Sequence, residues 1–142
     1  MQPIHILLVE DNEGDELLIR EAFQEIRLSN EIRAARDGQM ALAMLSREGE
    51  YAGTELPDLV ILDINLPKKN GHEVLRFIKQ NDSLKHLPVI MFTTSSADED
   101  VRSAYTNYAN CYIVKPFDAA DFINTVIQIE NFWFNIVKLP PQ

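Results

Sequence analysis

Cysteine is nearly absent: one residue, Cys111, stands among 142. It lies inside an apolar run, so a disulfide framework and a Cys/His zinc site are both excluded, and Cys111 itself reads as a small core residue. Basic residues are scarce beside acidic ones, 13 against 22, and the formal net charge of −9 disfavours nucleic acid and anionic membrane surfaces as partners. No apolar stretch approaches the length of a transmembrane helix, and Met1-Gln2-Pro3 leads into the first apolar run without the basic segment of a signal peptide. Gly-x-Gly-x-x-Gly and Walker A patterns are missing too, so a nucleotide or flavin binder would lack its phosphate cradle, and Glu10-Asp11 would repel a bare phosphate there. With no internal repeat and no low-complexity linker, one cytoplasmic domain spanning residues 1–142 is expected, long enough to bury a full core.

What is present is a set of short apolar runs, each ending in a chemically useful residue. Ile4–Val9 ends in Glu10-Asp11, and Leu59–Leu62 ends in Asp63. Val89–Phe92 ends in Thr93-Thr94-Ser95-Ser96, and Cys111–Val114 ends in Lys115-Pro116. Their β-branched and leucine content and flanking turn residues mark strands buried on both faces. A shorter strand, Glu31–Ala35, precedes Asp37-Gly38. Helical spacing follows each run, giving five strand and helix units and an α/β fold. If the strands are parallel, three acids, a hydroxyl and an amine meet at the sheet edge where such folds bind ligands.

The first helix, roughly Gly14 to Ile26, carries Ile19, Ala22, Phe23 and Ile26 on one face; the second carries Ala41, Met44 and Leu45. Arg47 to Pro57 reads as a surface loop and Leu66 to Gly71 as a rigid turn, followed by a helix with Val74, Phe77 and Ile78 inward. A capping-box spacing from Ser96 to Glu99 opens the fourth helix, whose inward face is expected to be Val101, Ala104, Tyr105 and Tyr108. The last helix starts near Asp118 or Asp121 and is apolar on two sides. Ile123, Val126 and Ile127 are expected to cover the sheet, while Phe122, Ile129, Trp133 and Ile136 form a second stripe for something else.

Magnesium prefers octahedral oxygen ligands, so Glu10, Asp11 and Asp63 could hold it, and a carboxylate not spent on the metal could attack phosphorus to form an aspartyl phosphate. Phosphoryl transfer asks mainly for charge neutralisation on the transferred oxygens, which Lys115 and Thr93 are placed to provide. A cis bond at Lys115-Pro116 is one way of turning the lysine inward. Each residue also has a plainer reading. Asp11 or Asn12 could cap the first helix, Asp63 could begin a turn, and Asp37-Gly38 and Asn70-Gly71 are turn chemistry. His5, His72 and His86 have no clustered ligand partners, Lys68 and Lys69 fit a solvated turn, and Tyr112 could be an ordinary strand residue.

The motifs V-E-D-N at 9–12, I-L-D-I-N-L-P-K-K-N-G at 61–71, T-T-S-S at 93–96 and K-P-F at 115–117 resemble those of the receiver domain of two-component response regulators, from about Ile4 to Glu130. That resemblance implies a flavodoxin-like, doubly wound parallel sheet of order 2-1-3-4-5, the order known for the family's chemotaxis member. It implies Asp63 as phosphoacceptor, Mg2+ held by Glu10, Asp11, Asp63 and the backbone carbonyl of Asn65, Thr93 and Lys115 on the phosphoryl group, and Thr93 with Tyr112 as the switch. Thr94 is larger than the family's usual residue there and, with Asn65 and Ser95, bears on water access to the phosphate. The ending, Ile129-Glu130-Asn131-Phe132-Trp133-Phe134-Asn135-Ile136, resembles that of single-domain regulators paired with cyanobacterial phytochrome kinases.

The implied function is a switch that accepts a phosphoryl group on Asp63 from a histidine kinase, here a phytochrome, and acts through protein contacts. A homodimer or partner contact is expected through Phe122 and, in the helix end and tail at about 129–142, through Ile129, Phe132, Trp133, Phe134 and Ile136; the plainer reading folds Phe132, Trp133 and Phe134 back on the domain's own core. The competing readings are a degenerate receiver acting as a constitutive dimeric module, and a magnesium-dependent phosphatase. The latter typically carries a second acid two positions after its nucleophile, where this chain has Asn65.

Overall fold

The computed structural model describes residues 3–25 and 30–141. Met1, Gln2, Gln142 and Ile26, expected on the first helix, lie outside them. Five strands, β1 (Ile4–Val9), β2 (Asn30–Ala35), β3 (Leu59–Leu62), β4 (Val89–Thr93) and β5 (Cys111–Val114), alternate with α1 (Glu13–Gln24), α2 (Gly38–Ser46), α3 (Gly71–Gln80), α4 (Asp98–Thr106) and α5 (Ala119–Glu130). The sheet is parallel throughout, in the expected order β2-β1-β3-β4-β5. Alternate strand residues serve opposite layers, because successive side chains point to opposite faces. Leu7, Val9, Val60, Leu62, Val89 and Met91 pack with Met44, Leu45, Val74, Leu75, Ile78 and Ala104 from α2, α3 and α4. Ile6, Leu8, Ile61 and Phe92 pack with Ile19, Ala22, Phe23, Phe122 and Val126 from α1 and α5.

Short polar side chains start four of the helices. Asn12, Asp37, Asn70 and Asp118 each accept the backbone N–H three residues on. The start of α4 differs from expectation. No side chain caps it; its N-cap is Ala97, and the Ser96 to Glu99 box does not form because the helix begins only at Asp98. Ser95 Oγ accepts the Ala97 N–H at 3.3 Å instead. Its inward face is also narrower than expected. Ala104 is buried and Val101 half-buried, but Tyr105 and Tyr108 are exposed. Tyr108 lies past the helix end with φ 68°, so helical phase no longer governs it, and the Tyr105 hydroxyl accepts the Tyr112 N–H at 3.2 Å at the surface.

The two stripes of α5 are assigned differently from the sequence reading. Phe122, Val126 and Ile129, at i, i+4 and i+7, are the buried set, and Ile123 and Ile127 are half-buried at the margin of the α1 layer. Phe122 and Ile129 are therefore not available to a partner. Beyond Glu130 the helix widens into a π-helical segment, Asn131–Ile136. There Trp133 folds onto the cluster of Leu59, Ile90 and Ile129, and the Phe134 ring lies 5.8 Å from that of Phe23. Phe132 and Ile136 stay exposed. Glu130 itself is 1% exposed, and among the described residues neither of its oxygens has a hydrogen-bond partner.

Candidate functional site

Register alone brings the acids together. Val9 pairs with Leu62, and the Asp63 N–H donates to the Val9 carbonyl at 3.1 Å, so Glu10 and Asp11 leave the sheet beside Asp63. On the other side Thr93 pairs with Val114, and the Lys115 N–H donates to the Thr93 carbonyl at 2.7 Å. This is the point where strand order reverses, the crevice in which open α/β sheets bind ligands. No cis bond is needed to turn the lysine: none occurs among the described residues. The β3–α3 turn is held close, since a Cβ at Gly71 would come within 2.1 Å of the Asp63 carbonyl oxygen. Only glycine fits there without moving the Asp63 backbone.

Glu10, Asp63, Thr93 and Lys115 are all buried, while Asp11 is exposed. The Lys115 Nζ donates to Glu10 Oε1 at 2.6 Å, Asp15 Oδ2 at 2.8 Å and Asp63 Oδ2 at 2.9 Å. Asp63 Oδ1 accepts the Ile64 N–H at 2.7 Å, and Glu10 Oε2 accepts the Asn12 N–H at 3.2 Å. Burial pushes the Glu10 carboxyl up to about 7 against the pull of Lys115, with Asp63 adding to the rise. Burial also pulls Lys115 down, but the hydrogen bonds it donates to Asp15, Glu10 and Asp63 outweigh that, raise it above the usual lysine range and hold the ammonium charged.

One ammonium cannot balance this many carboxylates. Glu10, Asp11 and Asp63 can each present an oxygen within 4.8 Å of the others, a hard-oxygen set with uncompensated negative charge that fits a divalent cation such as Mg2+. Asn65 is exposed next to them. Thr93 Oγ1 accepts the Ser95 N–H at 3.4 Å. Tyr112 is half-buried, and its hydroxyl donates to the Ser95 carbonyl at 2.8 Å. Ser95 Oγ in turn donates to Asp100 at 2.5 Å, and Asp100 also meets His72 Nε2 at 2.9 Å. The loop after Thr93 is thereby tied to β5, α4 and α3 at once. Those hydrogen bonds, from Ser95 first and His72 second, hold the Asp100 carboxyl below its usual range.

Two of these contacts escaped the sequence reading. Asp15 had no signal beyond its place three residues after a capping asparagine, and His72 looked isolated because its partner lies 28 positions away. Cys111 is half-buried, and burial raises its thiol to about 11, so it stays protonated. A cavity of about 400 Å³ lies near the start of β1, between β2 and α2, lined by His5, Arg33, Met44 and Pro57 among others. It lies at the opposite edge of the sheet from Glu10, Asp63 and Lys115, and His5 there is paired with Glu31 at 3.4 Å and Glu55 at 3.0 Å.

Comparison with known proteins agrees with this geometry. Residues 6–127 match the model of the response regulator receiver domain. Response regulator Rcp1 of Synechocystis sp. is 44% identical over 138 residues, covering 97% of this chain and 94% of that protein. The crystal structure of its Mn(2+)-bound form superposes with a TM-score of 0.96 over 98% of this chain and 100% of that one. The phosphorylated cyanobacterial phytochrome response regulator RcpA superposes with a TM-score of 0.97 at 42% identity, covering 99% of this chain and 100% of that one. A probable methanogenesis regulatory protein, FilR2 of Methanothrix harundinacea, is 43% identical over 97% of this chain and 88% of its own length.

Proposed function

The chain belongs to the response regulator receiver domain family, and from that membership we propose that it is a phosphorylation-driven switch whose acceptor is Asp63. The observation that carries this reading is the Lys115 ammonium 2.9 Å from Asp63 Oδ2 across 52 residues of sequence, with Glu10 and Asp11 gathered at the same strand ends. An oxygen of Asp63 attacks phosphorus, a new O–P bond forms, and the donor's bond to phosphorus breaks with its electron pair. The donor is a phosphohistidine of a sensor kinase. Lys115 and Thr93 receive two phosphoryl oxygens. Glu10, Asp11, Asp63 and the Asn65 carbonyl would hold Mg2+, which when bound neutralises charge on the transferred group. Drawing Thr93 toward the phosphoryl group would strain the Ser95 contacts with Tyr112 and Asp100 and so bias α4 and β5.

The receiver acts in the cytoplasm, signals through protein contacts, and turns over no external substrate. Asn65 in place of a second acid weighs against a phosphatase. RcpA is a phytochrome response regulator, and similarity to it supports a phytochrome as the kinase. The similar identity to FilR2 makes that pathway the finer part of the proposal. Incubation with a small acyl-phosphate donor is expected to label Asp63 in the presence of Mg2+ and not in its absence, as read by peptide mass. No label on folded, magnesium-saturated protein would instead make it a constitutive interaction module.

The tail also supports a homodimer, through a smaller surface than the sequence indicated. Phe132 is 49% and Ile136 66% exposed, whereas Trp133 packs on its own sheet, so Trp133→Ala would mix dimer loss with loss of core packing. The variant Phe132→Ser with Ile136→Ser is expected to lower the sedimentation mass toward that of the monomer. A mass unchanged by protein concentration in the wild type would end the dimer proposal.

A further inference from the structure

Two helices of this protein begin with the same pattern, a capping asparagine followed three residues later by an acid, and they use the acid differently. In α3, Glu73 returns to the Asn70 N–H at 3.3 Å while its own N–H donates to Asn70 Oδ1 at 3.1 Å, the reciprocal arrangement of a capping box. In α1 the Asp15 N–H donates to Asn12 Oδ1 at 2.9 Å, but the reciprocal bond is missing: Glu10 Oε2 takes the Asn12 N–H. The Asp15 carboxylate is released from capping and turns to Lys115 at 2.8 Å.

An ammonium has three hydrogens, and Lys115 meets three carboxylates, Glu10, Asp15 and Asp63. To donate to a phosphoryl oxygen it must give one of them up. The Glu10 and Asp63 side chains are 2% and 9% exposed, whereas that of Asp15 is 25% exposed. Water can re-solvate Asp15 at the least cost, since an abandoned charge is penalised by its burial. Asp15 is also the one carboxylate of the three outside the proposed acceptor and metal set. Resting on the phosphoacceptor reading above, we infer that Asp15 is a positioning residue: it holds Lys115 back from the incoming phosphoryl group and so sets the rate at which Asp63 is phosphorylated. In that step the Asp63 oxygen forms the O–P bond, the donor's acyl P–O bond breaks, and the acyl carboxylate departs with the electron pair. Lys115 moves from Asp15 to a phosphoryl oxygen, and no proton changes hands.

The test is the initial rate of labelling from a small acyl-phosphate donor at saturating Mg2+. Asp15→Ala is expected to raise it about fivefold, equivalent to about 1 kcal/mol of barrier. Asp15→Asn, which keeps an oxygen for the lysine but not the charge, should fall between Ala and wild type, and Asp15→Glu should return the rate toward wild type. A merely structural role predicts slower labelling and no rescue by glutamate. A labelled wild type whose Asp15→Ala and Asp15→Asn variants label at the same or a lower rate overturns this inference alone. A wild type that takes no label overturns the phosphoacceptor reading and this inference with it.

Discussion

Asp63→Asn is expected to abolish phosphate incorporation entirely while leaving thermodynamic stability within about 1 kcal/mol of the wild type. The loss is complete because an amide nitrogen or oxygen does not replace the proposed carboxylate nucleophile, and Glu10 and Asp15 are already paired with Lys115. Stability is preserved because two changes offset one another. The amide cannot accept at both ends, so either the Ile64 N–H or the Lys115 ammonium loses its acceptor, a cost of about 1 to 2 kcal/mol. Against this, one negative charge leaves a buried group in which Glu10, Asp15 and Asp63 share a single ammonium, a relief of similar size. Thermal unfolding of the variant beside its labelling time course checks both halves. Residual labelling of folded Asp63→Asn would place the acceptor at another carboxylate.

The second large effect concerns a group remote from the proposed phosphoacceptor. Burial raises the Glu130 carboxyl from 4.5 to about 8, with Glu25 adding like-charge repulsion. The folded protein therefore binds this proton more tightly than the unfolded chain does. The contribution is greatest for the folded state below pH 4.5, is lost progressively as pH rises toward 8, and is constant above that. The loss attributable to Glu130 across this window is about 5 kcal/mol, or roughly 15 °C in melting temperature for a domain of this size. Glu130→Gln carries no titratable proton and should flatten that slope, melting well above the wild type at pH 8 and close to it at pH 5. Parallel wild-type and variant curves of melting temperature against pH would show that the carboxyl is solvated in the folded state.

Most of the framework was legible in the sequence because it rests on local rules. Apolar runs of four to six residues with turns between them give strands. Asn12 and Asp118 stand at helix starts as expected, and Asp37 and Asn70, read as turn residues, cap the helices that follow those turns. A polar residue at the end of a parallel strand is positioned by the strand itself, so the meeting of Glu10, Asp63, Thr93 and Lys115 at one sheet edge follows from the apolar runs that precede them. The readings that failed are those in which tertiary contacts compete with periodicity. Ser96 lost its capping role when α4 began later, Tyr105 and Tyr108 turned outward, and Phe122, Ile129 and Trp133 went to the chain's own core.

By itself the sequence determined the five strand and helix units, the acids, hydroxyl and lysine at their ends, and through its motifs the receiver family, because strand and helix formation depend on neighbours within a few positions. The tertiary structure alone decided which carboxylates share Lys115, that Asp15 is among them, which face of α5 is buried, and that Glu130 sits in the interior without a partner. Those outcomes depend on distances between residues as much as 105 positions apart, which follow from sheet register and helix packing and leave no periodic trace along the chain.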